Sequence, residues 1–318
     1  MVTTLVSKAF EPAVVDGLAI AFPNVRFVRL EPDGSVPANA TDAEILIRMM
    51  MMGPQVRQVL EAAPHLRWLH SFAAGADHWF VPEIVARGIV CTRTTAHSAP
   101  IAEFVIALVL HVTKQLPKFG RDQANHEWSP PETVDQVEGR TVGIVGAGSI
   151  GGEIARRCRA LGMRVIGVRR HSDRPAEHFD EVMSVERLPE LLASSDFVVL
   201  AAPSTPQTHG MIGAAQLRAM RPTAYLINIA RGALIVEADL AQALREGWIA
   251  GACLDAHVNE PLKKDSPMWD LPNVFITPHS AFRSPYGIER SLNEFKANLE
   301  RYLRGEPLRD LLDVSAGY

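Results

Sequence analysis

Short runs of apolar and β-branched residues alternate with segments of helical periodicity along most of the chain. In the first part of the sequence, three predicted helices separate most of the predicted strands. The strands are Val25–Leu30, Glu44–Ile47, Arg67–His70 and Ile89–Thr92, and the helices are Pro12–Ala21, Pro54–Ala63 and Val81–Arg87. This alternation is typical of parallel strands joined by crossover helices, so we predict an α/β fold.

A second alternating series follows a long apolar helix predicted over Ile101–Leu116 and a polar stretch, 121–139, predicted to be an irregular connector. Its strands are predicted at Thr141–Val145, Arg164–Val168, Phe197–Ala201, Ala224–Ile229, Ile249–Leu254 and Val274–Thr277, before a last helix over Pro285–Leu303. The apolar helix is shorter than the ~20 residues that a membrane span needs. We expect it to be buried between domains or subunits and predict no membrane association.

Composition narrows the class of protein. A chain of 318 residues suits two domains, and its 47% hydrophobic and 21% charged residues are an ordinary globular balance. The formal net charge of -4 gives no basic field, so we expect no nucleic-acid partner. The three cysteines lack metal-ligand spacing, and the N-terminus lacks a signal pattern. We predict no metal site, reduced buried thiols and a cytoplasmic location.

The strand ending at Val145 runs directly into a G-x-G-x-x-G motif, and a helical pattern follows. In such a motif the first glycine permits a tight turn, the second lets the backbone approach a pyrophosphate, and the third lets helix and strand pack closely. The helix N-terminus then offers free N–H groups to the phosphates. The residues predicted to bind a dinucleotide here are Gly146, Gly148, Ser149, Ile150 and Gly151.

The end of the next strand indicates which dinucleotide binds. NAD sites usually carry Asp or Glu there, about 20 residues beyond the motif, to bind the ribose 2′-hydroxyl. This chain instead has Arg169 and Arg170, which would hold a 2′-phosphate by charge-assisted hydrogen bonds. We predict NADP as the cofactor. NAD stays open, as does a solvated basic turn with no role in binding.

Three polar residues follow strands of the second series. Arg231, Glu260 and His279 each come shortly after a different predicted strand. Because ligands of open parallel sheets bind beyond the carboxyl ends of the strands, we expect these side chains to converge near a bound nicotinamide.

Together with the glycine motif, these residues make the chain resemble the D-isomer-specific 2-hydroxyacid dehydrogenase family, in particular its glyoxylate/hydroxypyruvate reductases. The resemblance rests on the glycine motif and on N-x-x-R-G at 228–232, D-x(4)-E-P at 255–261 and T-P-H at 277–279. Residues 73–77, AAGAD, resemble the family's substrate-carboxylate loop, and 100–103 resemble the start of its interdomain helix. The motifs stand in the family's order and cover nearly the whole chain.

The resemblance implies a role for each residue. Arg231 would bind the carboxylate and carbonyl of the substrate, with help from the backbone N–H groups of Ala74 and Gly75. His279 would donate a proton to the carbonyl oxygen, and Glu260 would orient its ring. His257 is a nearby competitor for the acid–base role, but only His279 fits the family pattern.

The resemblance also implies further cofactor contacts. Asp255 would contact the nicotinamide carboxamide. Thr208 would either contact the cofactor or cap the next helix, and Arg283 would reach the site or lie on the surface. The remaining predicted cofactor contacts are Pro203, Ile229 and Ala230.

The implied fold has two doubly wound parallel-sheet domains. A Rossmann dinucleotide-binding domain would span 99–286, and a flavodoxin-like substrate domain would combine 1–98 with 287–318. We expect the active site in the cleft between the domains, which would close over the substrate, and a homodimer formed through the apolar helix.

The function predicted on these grounds is reduction of a small 2-keto acid by NADPH to the D-2-hydroxy acid, with glyoxylate or hydroxypyruvate as the first choice of substrate. Three alternatives stay open. The first is a relative with other chemistry, such as a formate or phosphite dehydrogenase; formate enzymes pair the histidine with glutamine, so Glu260 favours keto acids. The others are a dinucleotide-sensing binding protein, like the corepressors of this family, and an inactive structural relative.

Overall fold

The computed structural model describes residues 1–313, which divide into two compact units. One unit comprises Met1–Ala96 together with the segment from Pro285 onward, and the other is His97–Ser284. Each unit is built around its own parallel β-sheet.

The first unit contains a five-stranded sheet with the order β2-β1-β3-β4-β5, and every pairing is parallel. Its strands are β1 (Val2–Val6), β2 (Val25–Arg29), β3 (Ile45–Arg48), β4 (Trp68–Ser71) and β5 (Val90–Arg93), and its helices are α1 (Pro12–Ala21), α2 (Gly53–Ala62), α3 (Pro82–Ala86) and α10 (Gly287–Leu303). This strand order is the flavodoxin-like one. The predicted fold class is confirmed for this unit.

Aromatic side chains attach the C-terminal helix α10 to this sheet. The ring of Trp68 in β4 stacks on Phe295 at 5.4 Å between centroids and on Tyr302 at 5.5 Å. Trp68 and Phe295 are fully buried, so their apolar surface leaves water when the helix docks. A segment at the end of the described chain therefore completes the core of the first unit.

The second unit contains a seven-stranded parallel sheet with the order β12-β11-β10-β9-β6-β7-β8. Its strands are β6 (Thr141–Val145), β7 (Arg164–Val168), β8 (Glu181–Met183), β9 (Phe197–Leu200), β10 (Tyr225–Asn228), β11 (Gly251–Leu254) and β12 (Val274–Ile276). Its helices are α4 (Ser98–Thr113), α5 (Leu116–Ala124), α6 (Ser149–Ala160), α7 (Leu188–Ser194), α8 (Ala214–Ala219) and α9 (Glu237–Glu246). The order reverses at β6, as in a Rossmann sheet, and ligands bind at such switch points.

Five elements differ from the sequence prediction. Strand β1 was not predicted, nor were the three-residue strand β8 and helix α7. The predicted helix Ile101–Leu116 ends at Thr113, because Gln115 takes a left-handed conformation with φ of 54°. The chain then turns into α5, which occupies part of the predicted connector.

Among residues 1–313, no single helix is long and apolar enough to span a membrane. Only α4 and α5 taken together reach that length and composition, and the pair is bent by 66°.

Candidate active site

The turn between β6 and α6 needs glycine at two positions. Gly146 has φ of +110°, and a Cβ there would lie 2.7 Å from the backbone of Ala201. A Cβ on Gly151 would lie 2.2 Å from the carbonyl oxygen of Gly146. Gly146 therefore lets the β6–α6 turn approach the backbone after β9, and Gly151 lets the first turn of α6 pack against the β6–α6 turn.

Gly148 differs, because a Cβ there would meet no atom within 4 Å. It caps α6 and is exposed, and Ser149, Ile150 and Gly151 form the first turn of the helix. The N–H groups of a first turn have no partner within their helix and favour an anion. The open side of Gly148 thus fits a pyrophosphate, as the motif predicts.

The two arginines after β7 have different surroundings. Arg169 is half-buried and donates from Nη1 to the carbonyl of Ala147 at 3.3 Å and from Nη2 to that of Pro175 at 3.2 Å, with a further bond to the carbonyl of Arg174. Arg170 is exposed. Arg169 therefore joins the loop after β7 to the glycine turn, whereas Arg170 lies at the surface of the same loop.

The loop that carries Arg231 is held by the last residue of β10. Asn228 is fully buried, accepts from the N–H of Ala230 at 3.0 Å and donates to the carbonyl of Arg231 at 2.9 Å. Its own carbonyl accepts from the N–H of Asp255 at 2.9 Å. Asn228 thus couples the ends of β10 and β11. Ile229 and Ala230, predicted to contact the cofactor, are buried in this loop, and Arg231 is half-buried.

Gly232 brings the same two loops into direct contact. A Cβ at this position would lie 2.0 Å from the carbonyl carbon of His257 and 2.2 Å from the nitrogen of Val258. Only a residue without a side chain allows this approach. The glycine of the N-x-x-R-G motif therefore sets the distance between the loop of Arg231 and the loop that leads to Glu260.

Asp255 organises the loop after β12. It is 1% exposed, and its Oδ1 accepts from Thr277 Oγ1 at 2.6 Å and from the N–H of Ser280 at 2.9 Å. Its Oδ2 accepts from the N–H of Ala281 at 3.0 Å, and its carbonyl accepts from the N–H of His279 at 2.9 Å. His279 is held by this frame at φ of 49°, a conformation that non-glycine residues rarely adopt and that often marks functional sites.

Glu260 and His279 form the central pair of the site. Nδ1 of His279 lies 2.7 Å from Oε2 of Glu260, and Oε1 of Glu260 accepts from the N–H of His257 at 2.9 Å. A carboxylate only accepts, so Nδ1 of His279 carries a proton, and Nε2 is left for another partner. The side chains are 32% and 38% exposed, so the pair is accessible from solvent.

His257 is engaged elsewhere. Its Nε2 lies 2.9 Å from the carbonyl oxygen of Thr277 and must donate to it, because a carbonyl only accepts. Its ring therefore joins the loops after β11 and β12. This structural role agrees with the preference for His279 over His257 as the acid–base.

The remaining predicted residues of this unit lie farther along the loops. Thr208 donates from Oγ1 to the carbonyl of Pro203 at 2.7 Å and accepts from the N–H of Thr205 at 2.8 Å. It stabilises its own loop and does not cap α8, whose N-cap is Gly213. The alternative that Thr208 caps the next helix is therefore wrong. Arg283 is exposed, with its guanidinium 5.7 Å from the ring of Phe282.

Ala74 and Gly75 belong to the first unit, in the loop after β4. The carbonyl of Ala74 accepts from Arg93 Nη1 at 3.1 Å, and that of Gly75 accepts from the indole of Trp79 at 2.9 Å. Neither residue uses its N–H in a hydrogen bond to another described residue. The two adjacent N–H groups have no partner among the described residues, while hydrogen bonds to the carbonyls of the same residues fix the backbone. Such a pair of N–H groups suits the binding of an anion.

Sequence reasoning missed the residues that hold the site in place. Asn228 and Thr277 act through a neutral amide and a hydroxyl, and Arg93 donates to the carbonyl of Ala74. The motifs N-x-x-R-G and T-P-H contain Asn228 and Thr277 but gave neither residue a role, and the only signal of Arg93 is its place at the end of a strand. No group of three or more His, Cys, Asp or Glu within residues 1–313 is arranged to hold a metal ion.

Comparison with known proteins agrees with this geometry. Residues 106–281 match the model of the family described as D-isomer specific 2-hydroxyacid dehydrogenase, NAD binding domain. A glyoxylate reductase of Korarchaeum cryptofilum is 37% identical over 276 residues, which cover 83% of this chain and 81% of that enzyme. This chain belongs to the D-isomer specific 2-hydroxyacid dehydrogenase family.

Solved structures of family members resemble the whole chain. An NADPH-dependent glyoxylate/hydroxypyruvate reductase from Sinorhizobium meliloti, in complex with NADP and sulfate, is 28% identical, with a TM-score of 0.84 and full coverage of both chains. A family member from Xanthobacter autotrophicus Py2 in complex with NADPH and MES is also 28% identical, with a TM-score of 0.84 and coverage of 100% of this chain and 99% of that one. The predicted family and fold class are confirmed.

Proposed function

We propose that this dehydrogenase reduces glyoxylate, hydroxypyruvate or a similarly small 2-keto acid to the D-2-hydroxy acid with NADPH. The observation that carries the proposal is the His279–Glu260 pair, with Nδ1 and Oε2 2.7 Å apart and Nε2 available to a substrate. The glyoxylate reductase relatives and the NADPH-dependent reductase of the same fold support this substrate class and cofactor.

His279 acts as the general acid. Bound NADPH would supply the hydride. The ring of His279 donates from Nε2 when both of its nitrogens carry a proton: the carbonyl oxygen that gains negative charge takes the Nε2 proton, and the neutral ring keeps its proton on Nδ1, facing Glu260. Glu260 keeps the ring in place, and its second oxygen is tied to the N–H of His257, so neither side chain has to reorganise during the reaction. Arg231 binds the carboxylate and carbonyl oxygens of the substrate through its planar guanidinium.

In the first unit, the N–H groups of Ala74 and Gly75 bind the substrate carboxylate. The hydrogen bonds to their carbonyls keep both N–H groups oriented, which lowers the entropy lost on binding.

The cofactor fits the glycine turn and the end of β7. Gly146, Gly148 and Gly151 form a cradle for the pyrophosphate, beside the first N–H groups of α6 at Ser149 and Ile150. Arg170 binds the 2′-phosphate, while Arg169 shapes the loop around it. Asp255 and the residues Pro203, Thr208, Ile229 and Ala230 complete the proposed contacts.

Three further features accompany this function. Dinucleotide binding is assigned to 99–286 and substrate binding to 1–98 with 287–318, in line with the family match within the former range. The protein is proposed to be cytoplasmic, since its three cysteines are free and buried. It is proposed to be a homodimer, which light scattering of the purified protein would test; a monomer would contradict it.

Initial rates of NADPH and NADH oxidation test the function. The panel is glyoxylate, hydroxypyruvate, pyruvate, 2-ketoisocaproate and phenylpyruvate, each with the wild type and with His279→Gln. We expect turnover with NADPH and a small keto acid, and loss of about 10²–10⁴-fold in kcat in the variant. Dinucleotide binding without turnover on any acid would favour a sensor or another substrate. Turnover that survives in His279→Gln would refute the mechanism.

A further inference from the structure

The strand β3 ends in a buried arginine to which sequence analysis assigned no role. Arg48 is 1% exposed, and no carboxylate lies within 4.0 Å of its guanidinium in the part of the chain that the structure describes. Charged groups are almost never fully buried without a partner of opposite charge. The position therefore needs an explanation beyond filling the core.

Neutral acceptors surround the guanidinium. Nε and Nη2 both donate to the carbonyl of Met51, at 3.0 and 2.7 Å, and Nη1 donates to Ser71 Oγ at 2.9 Å. Nη2 also lies 3.2 Å from Nε2 of His78, which must accept because a guanidinium only donates. Arg48 thereby joins the segment after β3 to both ends of the loop after β4.

Arg48 also reaches the predicted carboxylate-binding residues through one intermediate. Its guanidinium lies 4.9 Å from the ring centroid of Trp79, and the Trp79 indole donates to the carbonyl of Gly75. Ser71 Oγ, which accepts from Arg48, also accepts from the N–H of Ala73 at 3.2 Å. The loop after β4, residues 73–79 (the 73–79 loop), is thus linked to Arg48 at its beginning through Ser71, near its middle through Trp79 and Gly75, and at its end through His78.

We propose that Arg48 is a positioning residue for substrate binding. Its guanidinium holds the 73–79 loop so that the N–H groups of Ala74 and Gly75 stay available. Its positive charge, which contacts no carboxylate among residues 1–313, attracts the carboxylate of the keto acid. This inference rests on the proposed function.

The charge of Arg48 persists despite its burial. Burial lowers the pKa of Arg48 to about 9, and the more distant carboxylate of Asp77 opposes that shift. The guanidinium therefore still carries its charge at neutral pH, where the keto acid is a carboxylate.

The test compares Arg48→Gln, which removes the charge, with Arg48→Lys, which keeps the charge but loses the planar fork. Arg57→Gln is the matched control, since Arg57 is an exposed arginine of the same unit that pairs with Glu83. The readouts are KM for the keto acid, KM for NADPH, kcat, and the inhibition constant of oxalate, a carboxylate that is not reduced. Stabilisation of the NADPH-loaded protein against heat by oxalate adds a measure of binding that needs no turnover.

We expect Arg48→Gln to raise KM for the keto acid and the inhibition constant of oxalate about tenfold. Arg48→Lys should recover part of that loss, and KM for NADPH should stay within twofold in both. An unchanged KM for the keto acid in folded Arg48→Gln, or an equal rise in KM for NADPH, would overturn the inference. If Arg48→Gln does not fold, His78→Ala is tested in its place, because His78 contacts Arg48 and is exposed, so that its removal leaves the core intact. A rise of about threefold in KM for the keto acid supports the inference, and no rise refutes it.

The outcome separates this inference from the proposed function. If the wild type turns over no keto acid, the proposed function is contradicted. The role of Arg48 is still supported in that case if oxalate stabilises the wild type against heat but does not stabilise Arg48→Gln. A wild type that turns over keto acids, with variants equal to it, contradicts only the role of Arg48.

Discussion

The contact at Gly232 gives a prediction whose size follows from the structure. Gly232→Ala places a Cβ 2.0 Å from the carbonyl carbon of His257, whereas ordinary contact begins at 3.4 Å. The two loops must therefore separate by about 1.4 Å, because the atoms in the way belong to the backbone and cannot rotate aside. Gly232 does not adopt a left-handed conformation, so the effect of alanine is steric alone.

A displacement of this size matters because the two loops carry Arg231 and Glu260. A misplacement of about 1 Å can cost roughly 100-fold in rate, so we expect kcat/KM for the keto acid to fall by about that factor. Overpacking also costs about 1–3 kcal/mol of stability, which lowers Tm by about 2–4 °C per kcal/mol in a unit of this size. Steady-state kinetics and thermal unfolding measure both effects.

Gly120→Ala is the matched control, because Gly120 lies in helix α5 of the same unit and an added Cβ would meet no atom within 4 Å. It should leave kcat/KM unchanged and stabilise the helix by up to about 1 kcal/mol. A Gly232→Ala enzyme with the kcat/KM and Tm of the wild type would refute the argument that this glycine sets the loop distance. A lower Tm with unchanged kcat/KM would show that the contact stabilises the loops without aligning the reacting groups.

Three further predictions concern the cofactor, the thiols and acid stability. Arg170→Ala should raise KM for NADPH about tenfold or more and leave KM for NADH within twofold in paired titrations; equal changes would contradict a 2′-phosphate contact. Burial raises the pKa values of Cys91, Cys158 and Cys253 to about 12, so a thiol reagent at pH 8 should modify none of them in the native protein and all three in denaturant. Burial lowers the pKa of His70 to about 3, whereas the unfolded chain binds a proton at this residue below about pH 6.5. Above pH 6.5 the ring is neutral in both states, and as the pH drops from 6.5 toward 3 the free energy of unfolding falls because only the unfolded state gains the proton. Urea unfolding at pH 7.5 and 4.5 should show a smaller loss for His70→Gln than for the wild type, and an equal loss would contradict this origin.

The fold class could be predicted because both sheets obey simple patterns. Parallel strands buried on both faces give short continuous apolar runs, such as residues 45–47 of β3 and Phe197–Leu200, and the helices between them have their own periodicity. The elements that escaped prediction lack such signals. β8 has three residues, β1 has two threonines among its five residues and no continuous apolar run, and the break after α4 depends on the left-handed conformation of Gln115.

The candidate site could be predicted only in part, for a similar reason. Glu260 and His279 stand out because charged or titratable side chains after a strand suggest chemistry, and the structure does bring them together. Asn228 begins the N-x-x-R-G motif but was given no role, since a neutral amide after a strand is common in any loop. Its importance appears only when both sides of the amide are seen to bind backbone groups of the Arg231 loop.

Asp255 and Arg48 show why a buried charge must be interpreted through its partners. The carboxylate of Asp255 accepts three hydrogen bonds from the loop that carries His279, so its local contacts account for its burial. The guanidinium of Arg48 forms hydrogen bonds with neutral groups, and none of them matches its charge. The carboxylate of Asp77 acts on Arg48 only from a distance, and an anion bound to the N–H groups of Ala74 and Gly75 would add a second negative charge near the guanidinium. The same buried charge that is unfavourable in the free enzyme would then favour the complex with a carboxylate, and replacing Arg48 by glutamine should weaken keto acid binding more than it weakens the fold.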